Sequence, residues 1–554
     1  MTTIPASNYD YIIVGAGSAG CVVAARLSEN PAIRVCLLEA GGRDTHPLIH
    51  IPFGLSMLSR LQTVNWHYHT MPQPELNNRA LYWPRGKTLG GSSSINAMCY
   101  IRGQYSDFDD WEAAGASGWS AREVIPWFKK AENFCGGADE YHGEGGPLQV
   151  NELRHADPLS HTFIKAAGQA DLPPCTDFNR QQRIGAGLYH VTQHNGQRWS
   201  SARAYLGEAQ ARQNLDIRTQ VQVNKINITE GIATGVQIQS ESECVNLTAR
   251  REVIVCAGAV NTPQLLMLSG VGPGEELARH TIPVVCHRPG VGQNLQDHLD
   301  VIVQCKGKTH DGYAIAPTAI PRYLKASIDY LLHRNGLLCS NIAEAGGFAC
   351  SSNAATNKPD LQFHFLPARL KDHGRKTSFG YGYGLHVCNL YPRSRGQITL
   401  QSADPALPPQ IDPGYLKDKQ DLQVMLEGIR LARKILQAPA FAPYFKSEWL
   451  PGDSCQSDTQ LTEFIRQRAE TIYHPVGTCK MGHGEDPNTV VDNRLQVIGV
   501  KGLRVADASV MPTITGGNTH APVVMIAERA AAFILQDYAP SQAGSHALPP
   551  AGAA

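Results

Sequence analysis

The sequence predicts an α/β fold that begins with a dinucleotide-binding βαβ unit. Tyr11 to Val14 is a short run rich in β-branched residues, the pattern of a strand buried in a parallel sheet. Gly15, Gly17 and Gly20 follow at GxGxxG spacing, where the strand should turn into a helix marked by Ala19, Val22, Val23 and Leu27. Glu39 closes the next apolar run, Val35 to Leu38, and stands 19 residues beyond Gly20. That is close to the roughly 20 expected for an acid on ribose hydroxyls.

Each part of this unit has a physical task. Gly15 permits the tight turn, Gly17 lets the backbone approach a pyrophosphate, and Gly20 lets helix pack on strand. The helix N-terminus offers free N–H groups and the positive end of its dipole to phosphate. A carboxylate at Glu39 would repel a 2′-phosphate, so FAD or NAD is favoured over NADP.

Further along, Asn65 to Gly103 reads as loop, rich in Pro, Gly and Ser, and Ser120 to Glu132 as an amphipathic helix. Asn214 to Val223, Val236 to Gln239 and Leu247 to Ala249 alternate apolar and polar residues, which predicts a small antiparallel insertion. Val253 to Ala259 is a second buried-strand run ending in glycine. Thr262 to Leu268 should be a helix with Pro263 in its first turn. Mixed patterns from about Val301 to Glu470 predict a second domain. Leu503 to Asp507 and an apolar helix near Pro522 to Asp537 close the fold, and the small, polar, Pro-rich tail from Tyr538 is expected to be disordered.

At 554 residues the chain has room for two or more domains. Lys+Arg and Asp+Glu number 49 each, which leaves no overall basic field to attract nucleic acid. No apolar run approaches the roughly 20 residues of a membrane span. Met1 to Asn8 lacks a basic and apolar leader, so a cytoplasmic setting is expected. The fourteen cysteines are scattered without a CxxC pair, which points to reduced core thiols and no metal site.

Gly86, Gly90 and Gly91 followed by Ser92 to Ser94 can form an anion cradle from consecutive N–H groups and hydroxyls. This loop belongs to a set of segments: Asn65-Trp-His-Tyr68, Pro84 to Asn96, Cys256 to Leu266, Pro289 to His298, Tyr473 to Thr478 and Leu503 to Pro512. Together they resemble the glucose–methanol–choline (GMC) oxidoreductases, a family of FAD enzymes, over about Asp10 to Asp537. Within it the chain looks most like the bacterial choline and alcohol dehydrogenases.

The resemblance implies a Rossmann-like FAD-binding domain made of residues 8–153, 196–302 and 472–538. A discontinuous substrate-binding domain, 154–195 with 303–471, would be built on an antiparallel sheet with helices, leaving 539–554 as the tail. It implies cofactor contacts at Gly15, Gly17, Ser18, Ala19, Gly20, Glu39 and Ala40. Others fall at Arg85, Gly86, Leu89, Gly90, Gly91, Ser92, Asn96, Ala97, Val223, Ala257, Gly258, Asp507, Ala508, Asn518 and Thr519. Some members attach FAD through a histidine where this chain has Ile95, so the flavin is expected to bind non-covalently.

His474 and His520 lie in turns bounded by glycine or proline. Alone, each of the 21 histidines is an ordinary polar residue, and His364, His386 and His483 are left in that class. The resemblance sets His474 and His520 side by side over the flavin. A neutral imidazole, His474, would take the hydroxyl proton while flavin N5 takes the hydride, and His520 would hold the developing alkoxide. Choline-type members usually carry asparagine at the second place, which weakens choline as substrate. Glu344 could face a cationic substrate, but a structural salt bridge is its expected role.

The implied activity is FAD-dependent oxidation of a primary alcohol, aliphatic or aryl, to the aldehyde. Electrons would pass to a quinone, a dye-like carrier or oxygen. Alternatives on the same scaffold are a peroxide-forming alcohol oxidase, a choline dehydrogenase and a hydroxynitrile lyase. A peripheral membrane contact would suit quinone reduction, although no amphipathic basic helix stands out.

Overall fold

A computed structural model describes residues 8–58, 60–240, 243–355 and 358–538. The expected disorder of 539–554 lies outside them. Two seven-stranded sheets organise the chain. The first runs, edge to edge, Leu215–Thr219, Val35–Glu39, Asn8–Val14, Glu243–Val255, Ile232–Ser240 and Gln222–Thr229, with Leu503–Val505 also paired to Glu243–Val255. Asn8–Val14 lies parallel to both neighbours, Ile12 opposite Cys36 on one side and Val253 on the other. Ile12, Ile13, Val35, Leu37 and Val253–Val255 are buried, as a strand covered on both faces requires.

Two sequence expectations change here. Leu215–Thr219 is not part of the antiparallel insertion. It pairs in parallel with Val35–Glu39 and forms the sheet's edge. The two runs expected at Leu247–Ala249 and Val253–Ala259 join as one strand, Glu243–Val255. Its first half pairs antiparallel with Ile232–Ser240, and its second half pairs parallel with Leu503–Val505.

The helix expected from Thr262 starts earlier, spans Gly258–Leu268 and therefore holds Pro263 in its interior. Proline removes the donor that would bond the carbonyl of Ala259. The Thr478 hydroxyl supplies it instead, at 2.7 Å. Thus a residue of the His474–Thr478 segment repairs a defect in a helix about 200 positions away in sequence.

The second sheet is antiparallel: Phe445–Leu450, Leu299–Gly307, Gly382–Asn389, Leu361–Leu366, Ala345–Ala349 and Gly185–Leu188, with Glu470–Thr471 also paired to Leu299–Gly307. Leu299–Gly307 crosses the expected boundary at 302 and belongs wholly to this sheet. Its own core gathers Val301, Val303, Phe363, Phe365, Leu385 and Val387 with Met425 and Ile429 of the Lys419–Leu436 helix. The amphipathic pattern at Ser120 to Glu132 forms Ala121–Ala131. Ile320–His333 is a further amphipathic helix, which the sequence reading passed over. No helix among the described residues is long and apolar enough to cross a membrane.

Candidate active site

A cavity of about 920 Å³ runs from the glycine turn of the first sheet to the inner face of the second. This is near the upper end of the roughly 300–1,000 Å³ common for ligand pockets. Gly15, Gly17, Ser18, Ala19, Glu39, Ala40, Arg85, Gly86, Gly91, Ser92, Asn96 and Ala97 line it. So do Val223, Ala257, Gly258, Asp507, Ala508, Asn518, Thr519, His474 and His520. Gly20, Leu89 and Gly90 stand behind this wall. A Cβ on Gly20 would sit 1.9 Å from the Gly15 carbonyl oxygen, so its glycine serves helix–turn packing. Gly90 N–H donates to the Ala16 carbonyl, and Leu89 is buried in the core.

The wall suits a flavin dinucleotide. The Ser18–Leu27 helix opens on the cavity with no side-chain cap, leaving its first N–H groups for phosphate. A Cβ on Gly91 would come 2.7 Å from Gly17 Cα, so the two glycine loops close on each other. His520 Nδ1 and Asn341 Oδ1 are buried lining atoms without a hydrogen-bond partner among the described residues. Glu39 accepts from Ala16 N at 2.9 Å and Gly41 N at 2.8 Å, and burial raises its carboxyl to about 7.

Asp507 is largely consumed within the protein. Its carboxylate accepts from Gly258 N, the Thr262 hydroxyl and Ser509 N, and so ties the start of the Gly258–Leu268 helix to the last strand. Arg198, which sequence reasoning missed, is buried and donates to the Ile49, Ser93 and Asn96 carbonyls. It braces the Gly90–Asn96 loop from behind.

His474 is set by its neighbours. The preceding Tyr473 has φ 71°, a left-handed conformation that is strained for a bulky residue. Arg85 Nη2 donates to the Tyr473 carbonyl at 2.6 Å, and Tyr473 N donates to the Thr471 hydroxyl at 2.8 Å. His474 N donates to Asp297 at 2.7 Å, whose other oxygen accepts from the Tyr415 and Thr471 hydroxyls.

The imidazole chain fixes a tautomer. His298 Nε2 lies 3.0 Å from the Leu390 carbonyl, which can only accept, so that nitrogen carries the proton. A neutral His298 then presents its lone pair at Nδ1, and His474 Nδ1 donates to it at 3.0 Å. This assignment, made from hydrogen-bond geometry, leaves the lone pair of His474 on Nε2. The Asn518 amide nitrogen meets Nε2 at 3.3 Å, with Asn518 Oδ1 held by Gln362 Nε2 at 3.2 Å.

His520 lines the same cavity, with its ring bonded to Ser201. Its Nε2 lies 3.0 Å from the Ser201 hydroxyl, at the first residue of the His520–Tyr538 helix. Both histidines line the cavity, but Asn518 is the neighbour at hydrogen-bond distance from His474 Nε2. Burial drives His474 well below the usual histidine range, helped by His298, His364 and Arg85. His520 falls to about 4 through burial and the nearby Arg198. Both rings are therefore neutral near pH 7.

The second sheet supplies His364 and His386, and the following loop His373. His386 pairs with Asp300 through Nδ1. The donor atoms of Asp300, His373 and His386 lie within 4.8 Å of one another. Glu344 does not form the expected salt bridge. It is fully buried and accepts from Asp157 N, Ser160, Ser340 and Tyr313.

The outer cavity is mostly apolar, with Phe53, Met57, Ile315, Ile320, Leu366 and Leu370, while Arg60, Arg369 and Lys376 are its cations.

Comparison with known proteins agrees with this architecture. The N-terminal profile of the GMC oxidoreductases matches residues 9–300, and the C-terminal profile matches 392–527. An alcohol dehydrogenase [acceptor] of Pseudomonas putida is 51% identical over 531 residues, covering 95% of this chain and 96% of its own. Mouse mitochondrial choline dehydrogenase is 43% identical, covering 96% and 90%. The crystal structure of pyridoxine 4-oxidase from Mesorbium loti superposes with a TM-score of 0.86 at 31% identity, covering 96% and 99%.

Proposed function

The chain belongs to the GMC oxidoreductase family, and we propose that its substrate is an uncharged primary alcohol, aliphatic or aryl, oxidised to the aldehyde. The protein is an FAD-dependent oxidoreductase acting on alcohols. The observation that carries the site assignment is the lone pair on His474 Nε2, held by the His298–Leu390 relay in a ring that stays neutral. Bound FAD supplies a hydride acceptor at N5. His474 accepts the hydroxyl proton, which frees the carbon-bound hydride to leave. Asn518 Nδ2 is positioned to steady the substrate oxygen as charge develops there.

His520 takes a supporting part in this reading. With Thr519 it brings the N-terminal end of the last helix, the positive end of its dipole, to the cavity. The glycine turn, Glu39 and the Arg85–Ala97 loop hold the dinucleotide, with residues 8–153, 196–298 and 472–538 as the cofactor half, because Leu299–Gly307 belongs to the second sheet. Ile95 lines the cavity where some members carry the attaching histidine, which supports non-covalent binding. The fourteen unpaired cysteines suit a reducing cytoplasm.

With Asn518 and not His520 at hydrogen-bond distance from His474, the histidine at position 520 no longer weighs against choline, and the substrate class rests on charge. Choline would favour an accessible carboxylate, but Glu344 is saturated by four donors. The cations Arg60 and Arg369 oppose a quaternary ammonium, while Lys376 is paired with Asp372. The 51% identical alcohol dehydrogenase [acceptor] supports an acceptor other than oxygen, a quinone or a dye-like carrier. The test is a panel of hexanol, benzyl alcohol and choline with a soluble dye. The reading requires kcat/KM for either alcohol to exceed that for choline by at least about 100-fold, a difference of roughly 2.8 kcal/mol. Equal or better turnover of choline would overturn it.

A further inference from the structure

The outward face of the Ile320–His333 helix is apolar and uncovered. Ile320, Leu324, Ile328, Leu331 and Leu332 recur at helical spacing on one side, with Leu324 62%, Leu331 73% and Leu332 70% exposed. Ala326 and Tyr330 are the buried residues of this helix, and Arg322 anchors it to Asp157 at 2.9 Å. Phe379, 71% exposed, adjoins it through a backbone bridge to Ile315, and Met57 is exposed as well. A contiguous apolar surface of this kind is unusual on a monomer and marks an interaction site.

This surface is also the mouth of the cavity. Met57, Ile315, Ile320 and Tyr323 line the cavity, and the first three are also exposed. Basic residues surround it. Segments 53–60, 310–334 and 368–380 carry eight Lys and Arg against three Asp, in a chain whose formal charge is zero. Arg322, Arg375 and Lys376 pair with Asp157, Glu470 and Asp372, which leaves Arg60, Lys325, Arg334, Arg369 and Lys371 without an ion pair among the described residues. Lys325, Arg334, Lys371 and Lys376 are solvent-exposed.

We propose that this face docks on an anionic lipid bilayer, with the Ile320–His333 helix lying in the plane of the interface and the cavity mouth opening on the lipid. An apolar stripe flanked by Lys and Arg is the signature of interfacial helices. The charge argues against a second copy as occupant, because a two-fold contact would set the same excess of cations against itself. For an apolar alcohol, which rests on the reading above, the substrate would enter from the membrane. The docking itself needs no assumption about the reaction.

Cosedimentation of the flavin-loaded protein with vesicles tests this. The vesicles are phosphatidylcholine alone or phosphatidylcholine mixed with phosphatidylglycerol. The parent should bind the mixed vesicles, more weakly as salt rises. Leu324→Glu with Leu331→Glu should cut that binding by about tenfold or more. Lys325→Glu with Lys371→Glu should cut it on mixed vesicles alone. Both double variants should keep the parent's flavin spectrum and turnover of a water-soluble alcohol with a soluble dye, which separates failed docking from a failed enzyme. Absence of parent binding to either vesicle, or variant binding equal to the parent's, would overturn the proposal. So would a parent dimer that Leu324→Glu with Leu331→Glu converts to monomer without any vesicle binding.

Discussion

His298 and His474 meet nitrogen to nitrogen, Nδ1 to Nδ1 at 3.0 Å, with their rings at 85°. Two neutral imidazoles can share such a contact only if one donates and the other accepts. The Leu390 carbonyl decides which, because it claims the only proton of His298. His474 is thereby held with its basic nitrogen at Nε2, next to the cavity-lining Asn518.

Removing the relay should cost rate without removing the base. His298→Phe is expected to retain flavin and lower kcat by about tenfold, less than the roughly 10²–10⁴ attached to loss of a general base. His298→Gln, which can still accept at its amide oxygen, should recover part of it. Stopped-flow flavin reduction checks both, and an unchanged rate in His298→Phe would remove the relay from the account.

The partner of His474 can be identified by comparing two neighbouring substitutions. Asn518→Ala should lower kcat by roughly 10²-fold, the usual cost of losing a donor to developing negative charge. His520→Asn should cost less than about tenfold in kcat, because its ring is bonded to Ser201 and not to His474. Steady-state kinetics with one alcohol distinguish them. The reverse ranking would return the orienting role to His520.

His520 also leaves a trace in stability. Its folded value is about 4, below the ordinary histidine value of 6.5. Between those values the unfolded chain binds a proton that the folded one refuses, so acid favours unfolding. The contribution is absent above pH 6.5 and grows as pH falls, by about 1.4 kcal/mol per unit until the folded ring titrates. His520→Asn should therefore gain stability relative to the parent on going from pH 6.5 to 4.5. Chemical denaturation across that range measures it, and a constant difference would contradict the buried neutral ring.

Flavin attachment has a simple readout. Ile95 offers no nucleophile, so acid precipitation should release all the yellow cofactor to the supernatant. Colour retained in the pellet would show a covalent link.

What the sequence reveals here is what is local. The Asn8–Glu39 unit was legible because strand, glycine turn, helix and acid are contiguous and each is dictated by its own residues. The parallel pairing of Leu215–Thr219 was hidden, since an alternating pattern gives a strand but not its partner. Pro263 looked like a helix start because its rescue by Thr478 comes from a distant loop. Asn518 and His520 are two positions apart, and which faces His474 depends on where the last helix begins. His298 stood in a recognised segment, but no spacing rule says that it touches His474. The apolar stripe of Ile320–His333 was broken in the text by Pro321, Arg322 and Lys325, which the helix turns to other faces or its first turn.

The most direct measurement is anaerobic flavin reduction by a primary alcohol, followed by visible absorbance, in the parent and in His474→Ala. The parent should bleach on mixing, with a rate that holds on going below pH 6.5 because burial keeps His474 neutral. His474→Ala should bind the same flavin and bleach about 10²–10⁴ times more slowly. A parent that stays yellow with every alcohol offered, or a variant that bleaches at the parent's rate, would contradict the account.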